Sequence, residues 1–177
     1  MKILIVEDEP LLAATLKQLV ELNPLYEVTA IADDLDAAMR SVDAHPPELA
    51  LVDLQLANGS SGFSVAARLH ELGIACLFTT GNAPGFPVPD LALGCLRKPF
   101  EVDDLARALR EAEDILRGRQ KVILRARLPE QLQLYSATAE PAPKDDWVPG
   151  VRRRTSLWAR VKKLVRHPSS FRSATAA

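Results

Sequence analysis

"LALVDLQLANGSSG", residues 49–62, decides how the rest of the chain is read. An apolar run of the kind that fills a buried strand stops on the carboxylate of Asp53, and a loop rich in Gly and Ser follows at once. A short apolar run bounded by turn residues fits a strand covered on both faces. A charge at its end then sits at the lip of the core.

Working outward, short apolar runs alternate with longer amphipathic ones. "KILIV" (2–6), "YEVTAIA" (26–32), "ELALVDL" (48–54), "IACLFTT" (74–80) and "GCLRK" (94–98) read as strands. "PLLAATLKQLVEL" (10–22), "DDLDAAMRSVDA" (33–44), "GFSVAARLHELG" (62–73) and "EVDDLARALREAEDILRG" (101–118) read as helices. Pro10 suits a first turn, and acidic residues open the second helix. This alternation implies an α/β fold, a parallel sheet with helices on both faces. The fourth unit, "GNAPGFPVPDLAL" (81–93), is irregular. Pro84, Pro87 and Pro89 stand where its helix belongs, so a short, late or mostly absent helix is expected.

The chain has 177 residues, enough for one well-cored domain and an appendage, and its 47% apolar and 25% charged residues are those of a globular protein. Its net charge of −1 hides an asymmetry. Residues 1–119 carry 10 Lys+Arg against 19 Asp+Glu, a net of −9; residues 120–177 carry 12 against 4, a net of +8. A domain and a basic arm are implied. Cys76 and Cys95 each lie inside an apolar run, which fits reduced core thiols better than a disulfide or metal pair. "MKILIV" is too short for a signal-peptide core, and no apolar run approaches the ~18 residues of a membrane span. The chain reads as cytoplasmic.

In a parallel sheet the C-terminal strand ends share one edge, where ligands bind. Glu7 and Asp8 end the first strand, Asp53 the third, Thr79, Thr80 and Gly81 the fourth, and Lys98 the fifth. Three neighbouring carboxylates must hold a proton or share a cation, since two like charges ~4 Å apart cost about 4 kcal/mol at an effective dielectric of 20. Hard oxygen ligands with open positions suit Mg²⁺ and phosphate oxygens. With the Lys98 charge, the Thr80 hydroxyl and the Gly81 amide, the rim reads as a phosphoryl-transfer site. Alternation favours Thr80 over Thr79 as the member facing it. His45, His70 and His167 read as surface residues rather than ligands.

"ILIVEDEP", "ALVDLQL", "LFTTGN" and "LRKPF", in this order and spacing, resemble the receiver domain of two-component response regulators over residues 1 to 118. The resemblance implies a doubly wound, flavodoxin-like five-stranded sheet in the order 2-1-3-4-5. It implies that Asp53 accepts a phosphoryl group from a sensor histidine kinase or a histidine phosphotransfer protein. Such a chain is a phosphoacceptor that supports its own phosphorylation and dephosphorylation rather than an enzyme acting on a separate substrate. Carried over by position, Glu7, Asp8, Asp53 and the carbonyl of Gln55 would hold Mg²⁺, while Thr80, Gly81 and Lys98 would meet the phosphoryl oxygens. Pro99 matches the family's Lys-Pro pair, often a cis bond, and Gln55 and Asn82 sit where phosphoryl lifetimes are tuned.

Two switch positions follow, Thr80 and Cys95, and the second departs from the family. Receivers usually have Tyr or Phe there, whereas Cys95 has no ring to swing inward. Ala57 stands where the loop after the phosphoacceptor usually has Pro. The face built from the fourth helix, fifth strand and fifth helix, on which receivers signal or dimerise, is therefore atypical. The expectation is that phosphorylation instead orders or releases the 81–93 loop.

Beyond the receiver, "KVILRARL" (121–128) and "QLQLY" (131–135) alternate and are expected to form a hairpin arm over 120–135. Such a hairpin needs a surface to dock on, its own domain or a second protomer. Residues 136–151 read as a linker, and 168–177 as a disordered tail. Residues 152–167 read as a basic amphipathic helix, with Leu157, Trp158, Val161, Leu164 and Val165 at helical spacing. That helix could dock on the acidic receiver, a partner protein or an anionic membrane surface, while a single Trp in it and no recognition-helix pair disfavour nucleic acid. A receiver working through protein contacts, which could include a homodimer formed by the arm, has two rival readings. One is a transcription or RNA regulator using the basic tail. The other is a haloacid dehalogenase type hydrolase, which carries a second Asp two residues after its nucleophile where this chain has Gln55.

Overall fold

The computed structural model describes residues 1–56, 60–119 and 128–135, all within one compact unit, Met1–Ala137. The expected linker at 136–151, the basic helix, the tail, Ala57 and the first strand of the expected hairpin up to residue 127 lie outside the described residues. Strands β1 (Lys2–Val6), β2 (Glu27–Ala32), β3 (Leu49–Val52), β4 (Ala75–Thr80) and β5 (Gly94–Arg97) pair in parallel, in the order β2-β1-β3-β4-β5. That is the expected order. The sheet carries one strand more than the five expected, because β6 (Leu132–Leu134) pairs antiparallel with β5 at the edge.

Alternation along the strands divides the core between two faces. Ile3, Ile5, Leu49, Leu51, Leu77 and Leu96 pack with α1 (Pro10–Glu21) and α4 (Val102–Leu116). Leu4, Val6, Ala50, Val52 and Phe78 pack with α2 (Leu35–Ala44) and α3 (Gly62–Glu71). Cys76 and Cys95 are buried free thiols on this second face, and burial pushes their pKa values up to about 12 and about 11.

Local chemistry sets the helix starts. Asp34 caps α2 by accepting the Ala37 amide at 2.7 Å, and Ser61 caps α3 through the Phe63 amide at 3.3 Å. Between β5's predecessor and β5, residues 81–93 form no helix. The prolines leave only a turn in which the Leu91 and Ala92 amides reach the Val88 carbonyl at 2.9 and 3.2 Å.

Gly62 fixes where α3 begins. A Cβ there would stand 2.0 Å from the Asp53 carbonyl oxygen and 2.6 Å from Leu54 Cα. Both are backbone atoms of the segment leaving β3, so neither can yield without moving the site. Gly62→Ala is expected to destabilise the protein by about 3 kcal/mol, read as a lower urea midpoint.

No helix among the described residues is long and apolar enough to cross a membrane.

Candidate functional site

The hydrogen-bond ladder runs one step past each strand and so fixes the polar residues that follow. The Glu7 amide donates to Ala32, the Asp53 amide to Val6 and the Lys98 amide to the Thr80 carbonyl, each at 2.9 Å. Residues far apart in sequence thereby meet on one rim.

At its centre the Lys98 ammonium donates to Glu7 Oε2 at 2.7 Å and to Asp53 Oδ2 at 2.8 Å. These are charge-assisted distances. The second Asp53 oxygen, Oδ1, accepts the Gln55 amide at 3.0 Å, so both carboxylate oxygens are held. Glu7 is only 3% exposed and Asp53 8%. Asp8 is half-buried, Gln55, Gly81 and Asn82 are exposed, and the Lys98–Pro99 peptide is cis. Thr80 is fully buried at the end of β4, and its hydroxyl oxygen accepts the Asn82 amide at 3.3 Å. That hydroxyl's own hydrogen remains free to be donated elsewhere.

Burial raises the Glu7 pKa above its usual 4.5, and the bonds and charge of Lys98 only partly offset it. For Lys98 burial works downward, but its hydrogen bonds to Asp53 and Glu7 win and hold the ammonium above 10.5. A carboxyl with a raised folded pKa contributes stability that is complete below 4.5 and is lost as pH rises through the folded value. Glu7→Gln keeps an oxygen for Lys98 and removes the buried charge. It is expected to unfold at a higher urea midpoint than wild type at pH 7, with the difference closing below pH 4.5. Equal midpoints at both pH values would contradict the shift.

Among the described residues no three His, Cys, Asp or Glu side chains gather by themselves as a metal cluster. In this arrangement the Lys98 ammonium takes a cation's place between Glu7 and Asp53. The donor set still fits a hard divalent ion. Two carboxylate oxygens, from Glu7 and Asp53, already converge within 2.8 Å of one positive centre.

The sequence matches the response regulator receiver domain family over residues 3–110, more than half of the chain. The chain is a member of that family. The chain is 32% identical over 149 residues to the positive alginate biosynthesis regulatory protein of Pseudomonas aeruginosa, covering 80% of this chain and 53% of that protein. It is 30% identical over 155 residues to the sensory transduction protein LytT of Enterococcus faecalis, covering 84% and 57%. It thus spans about half the length of these curated relatives. A CheY-like receiver domain structure from Methanospirillum hungatei superposes with a TM-score of 0.59 at 26% identity, over 67% of this chain and 98% of that one.

Of the residues singled out from the receiver's sequence, Glu7, Asp53 and Lys98 meet directly, with the Gln55 amide beside them. Thr80 borders them through the Lys98 backbone. Cys95 lies apart, in the apolar cluster on one face of the sheet, and there it neighbours Tyr135 of the strand segment at the edge. Nothing in the order of residues along the chain linked Tyr135 to this neighbourhood. The only signal was the alternation of "QLQLY", which puts its ring on the face opposite Leu132 and Leu134.

Proposed function

We propose that this receiver accepts a phosphoryl group on Asp53 from a phosphohistidine of a sensor histidine kinase or phosphotransfer protein, and signals through changed protein contacts. The observation that supports it best is the pairing of Asp53 with Lys98 at 2.8 Å, at a partly exposed rim beside Glu7. A carboxylate oxygen attacks phosphorus, the new P–O bond forms as the P–N bond breaks, and the electron pair leaves with the donor's imidazole nitrogen. Lys98 accompanies the charge as it moves from the carboxylate onto the phosphoryl oxygens. The Thr80 hydroxyl, already accepting from Asn82, has a hydrogen to donate to one of those oxygens. The Gly81 amide supplies a further donor. Glu7, Asp8, Asp53 and the Gln55 carbonyl would hold Mg²⁺, which when bound neutralises charge on the transferring group. Gln55 and Asn82, both exposed, stand at the positions where the resemblance puts the tuning of the phosphoryl lifetime.

The test is intact mass after incubation with acetyl phosphate and Mg²⁺. A gain of about 80 Da, absent with a chelator and reversed by hydroxylamine, is expected for an acyl phosphate. No gain from acetyl phosphate or from a competent phosphohistidine donor would overturn the proposal.

A further inference from the structure

β6 is attached to β5, the strand that carries Cys95. It runs antiparallel to β5 with Cys95 opposite Gln133, and the ladder is closed at its ends by Arg97 donating to Gln131 at 2.9 Å and Tyr135 to Leu93 at 2.8 Å. Gly94 makes this approach feasible, since a Cβ there would stand 2.5 Å from the Gln133 carbonyl oxygen and 3.0 Å from Leu134 Cα. Gln133 and Tyr135 share a face, so the Tyr135 ring is a diagonal neighbour of Cys95, within reach of an aromatic side chain. Tyr135 is 6% exposed and packs in one cluster with Cys95, Phe78, Val88 and Leu91. A ring from the sixth strand thus packs beside the position where this chain carries Cys95 in place of an aromatic.

Two features make this docking reversible. β6 is three residues long, and short edge segments open locally at low cost. The Tyr135 hydroxyl is buried with no hydrogen bond of good geometry among the described residues, and its polar neighbour is the Cys95 thiol, a weak hydrogen-bonding group. Water would supply the missing partner on release, so the hydroxyl favours the open state.

The bed of the ring is continuous with the site. The 81–93 loop leaves from Thr80, contributes Val88, Leu91 and Ala92 to the ring's cluster, and ends at Leu93, whose carbonyl holds the Tyr135 amide. Drawing the Thr80 hydroxyl toward a phosphoryl group shifts the start of this loop, and both contacts of Tyr135 lie along it. We propose that β6 is a latch on the β5 edge, seated by Tyr135, and that phosphorylation of Asp53 releases it to uncover that edge. This rests on the phosphoacceptor reading above.

Hydrogen exchange of residues 128–135 and 94–97 in the full chain, with and without acetyl phosphate and Mg²⁺, tests it, with intact mass measured on the same samples. Phosphorylation is expected to speed exchange at 132–135 at least about tenfold. Tyr135→Phe keeps the ring and removes the buried hydroxyl, and is expected to slow exchange at 132–135 at least about fivefold both with and without the phosphoryl donor. Tyr135→Ala is expected to exchange fast without any phosphoryl donor. A mass gain with unchanged exchange at 132–135 overturns the latch alone. Exchange rates in Tyr135→Phe equal to those of wild type overturn the role of the hydroxyl. No mass gain overturns the phosphoacceptor reading, and the latch with it.

Discussion

Asp53→Asn is expected to cut phosphoryl uptake from acetyl phosphate by at least about a thousandfold, since it removes the attacking oxygen anion. Phosphorylation kinetics followed by intact mass give the number. The substitution should leave the fold in place. Asp53 spends both oxygens as acceptors, one from the Gln55 amide and one from Lys98, and an Asn side chain offers only one. One of those bonds is therefore lost. Against that loss, the negative charge that helps raise the Glu7 pKa disappears, which relieves the remaining carboxylate. Opposed changes of similar size predict a small shift in urea midpoint. Uptake equal to wild type would show that another residue is the acceptor.

Lys98→Met is expected to cost about 3 kcal/mol of stability in the presence of a chelator, because it strands buried charges that had one shared partner. Lys98 bridges Glu7 and Asp53, whose side chains are 3% and 11% exposed, so water replaces the lost ammonium poorly. The loss should shrink as pH falls and Glu7 protonates at its raised pKa. It should shrink also with Mg²⁺, because a bound cation adds about 2.7 kcal/mol at a hundred times its Kd. Urea midpoints at pH 7 and below pH 4.5, each with Mg²⁺ and with EDTA, check both statements. A variant as stable as wild type in EDTA would mean that the bridge adds nothing to the fold.

The five parallel strands were legible because each is an apolar run that ends abruptly on a polar residue, and a strand covered on both faces allows little else. The edge Thr80–Lys98 and the rim around Asp53 followed from the same pattern. What the pattern could not specify was which polar groups would bond. Lys98 and Glu7 are 91 positions apart, and their contact is set by strand order and by the backbone bond from Lys98 to Thr80. β6 was harder still. "QLQLY" alternates as an edge strand should, yet a three-residue strand has too weak a local signal to choose its partner. That choice depends on the bare backbone at Gly94, which in the sequence is only the first residue of an expected strand.

The two thiols give the native chain an internal clock. Only a thiolate reacts readily with an alkylating reagent, and burial holds both cysteines far on the protonated side at neutral pH. Cys76 is enclosed in β4, within the sheet, and its modification has to wait for the sheet to come apart. Cys95 sits one strand from the edge, beneath a three-residue cover, so its modification waits only for that cover to lift. The ratio of the two rates separates local opening from global unfolding with no added label.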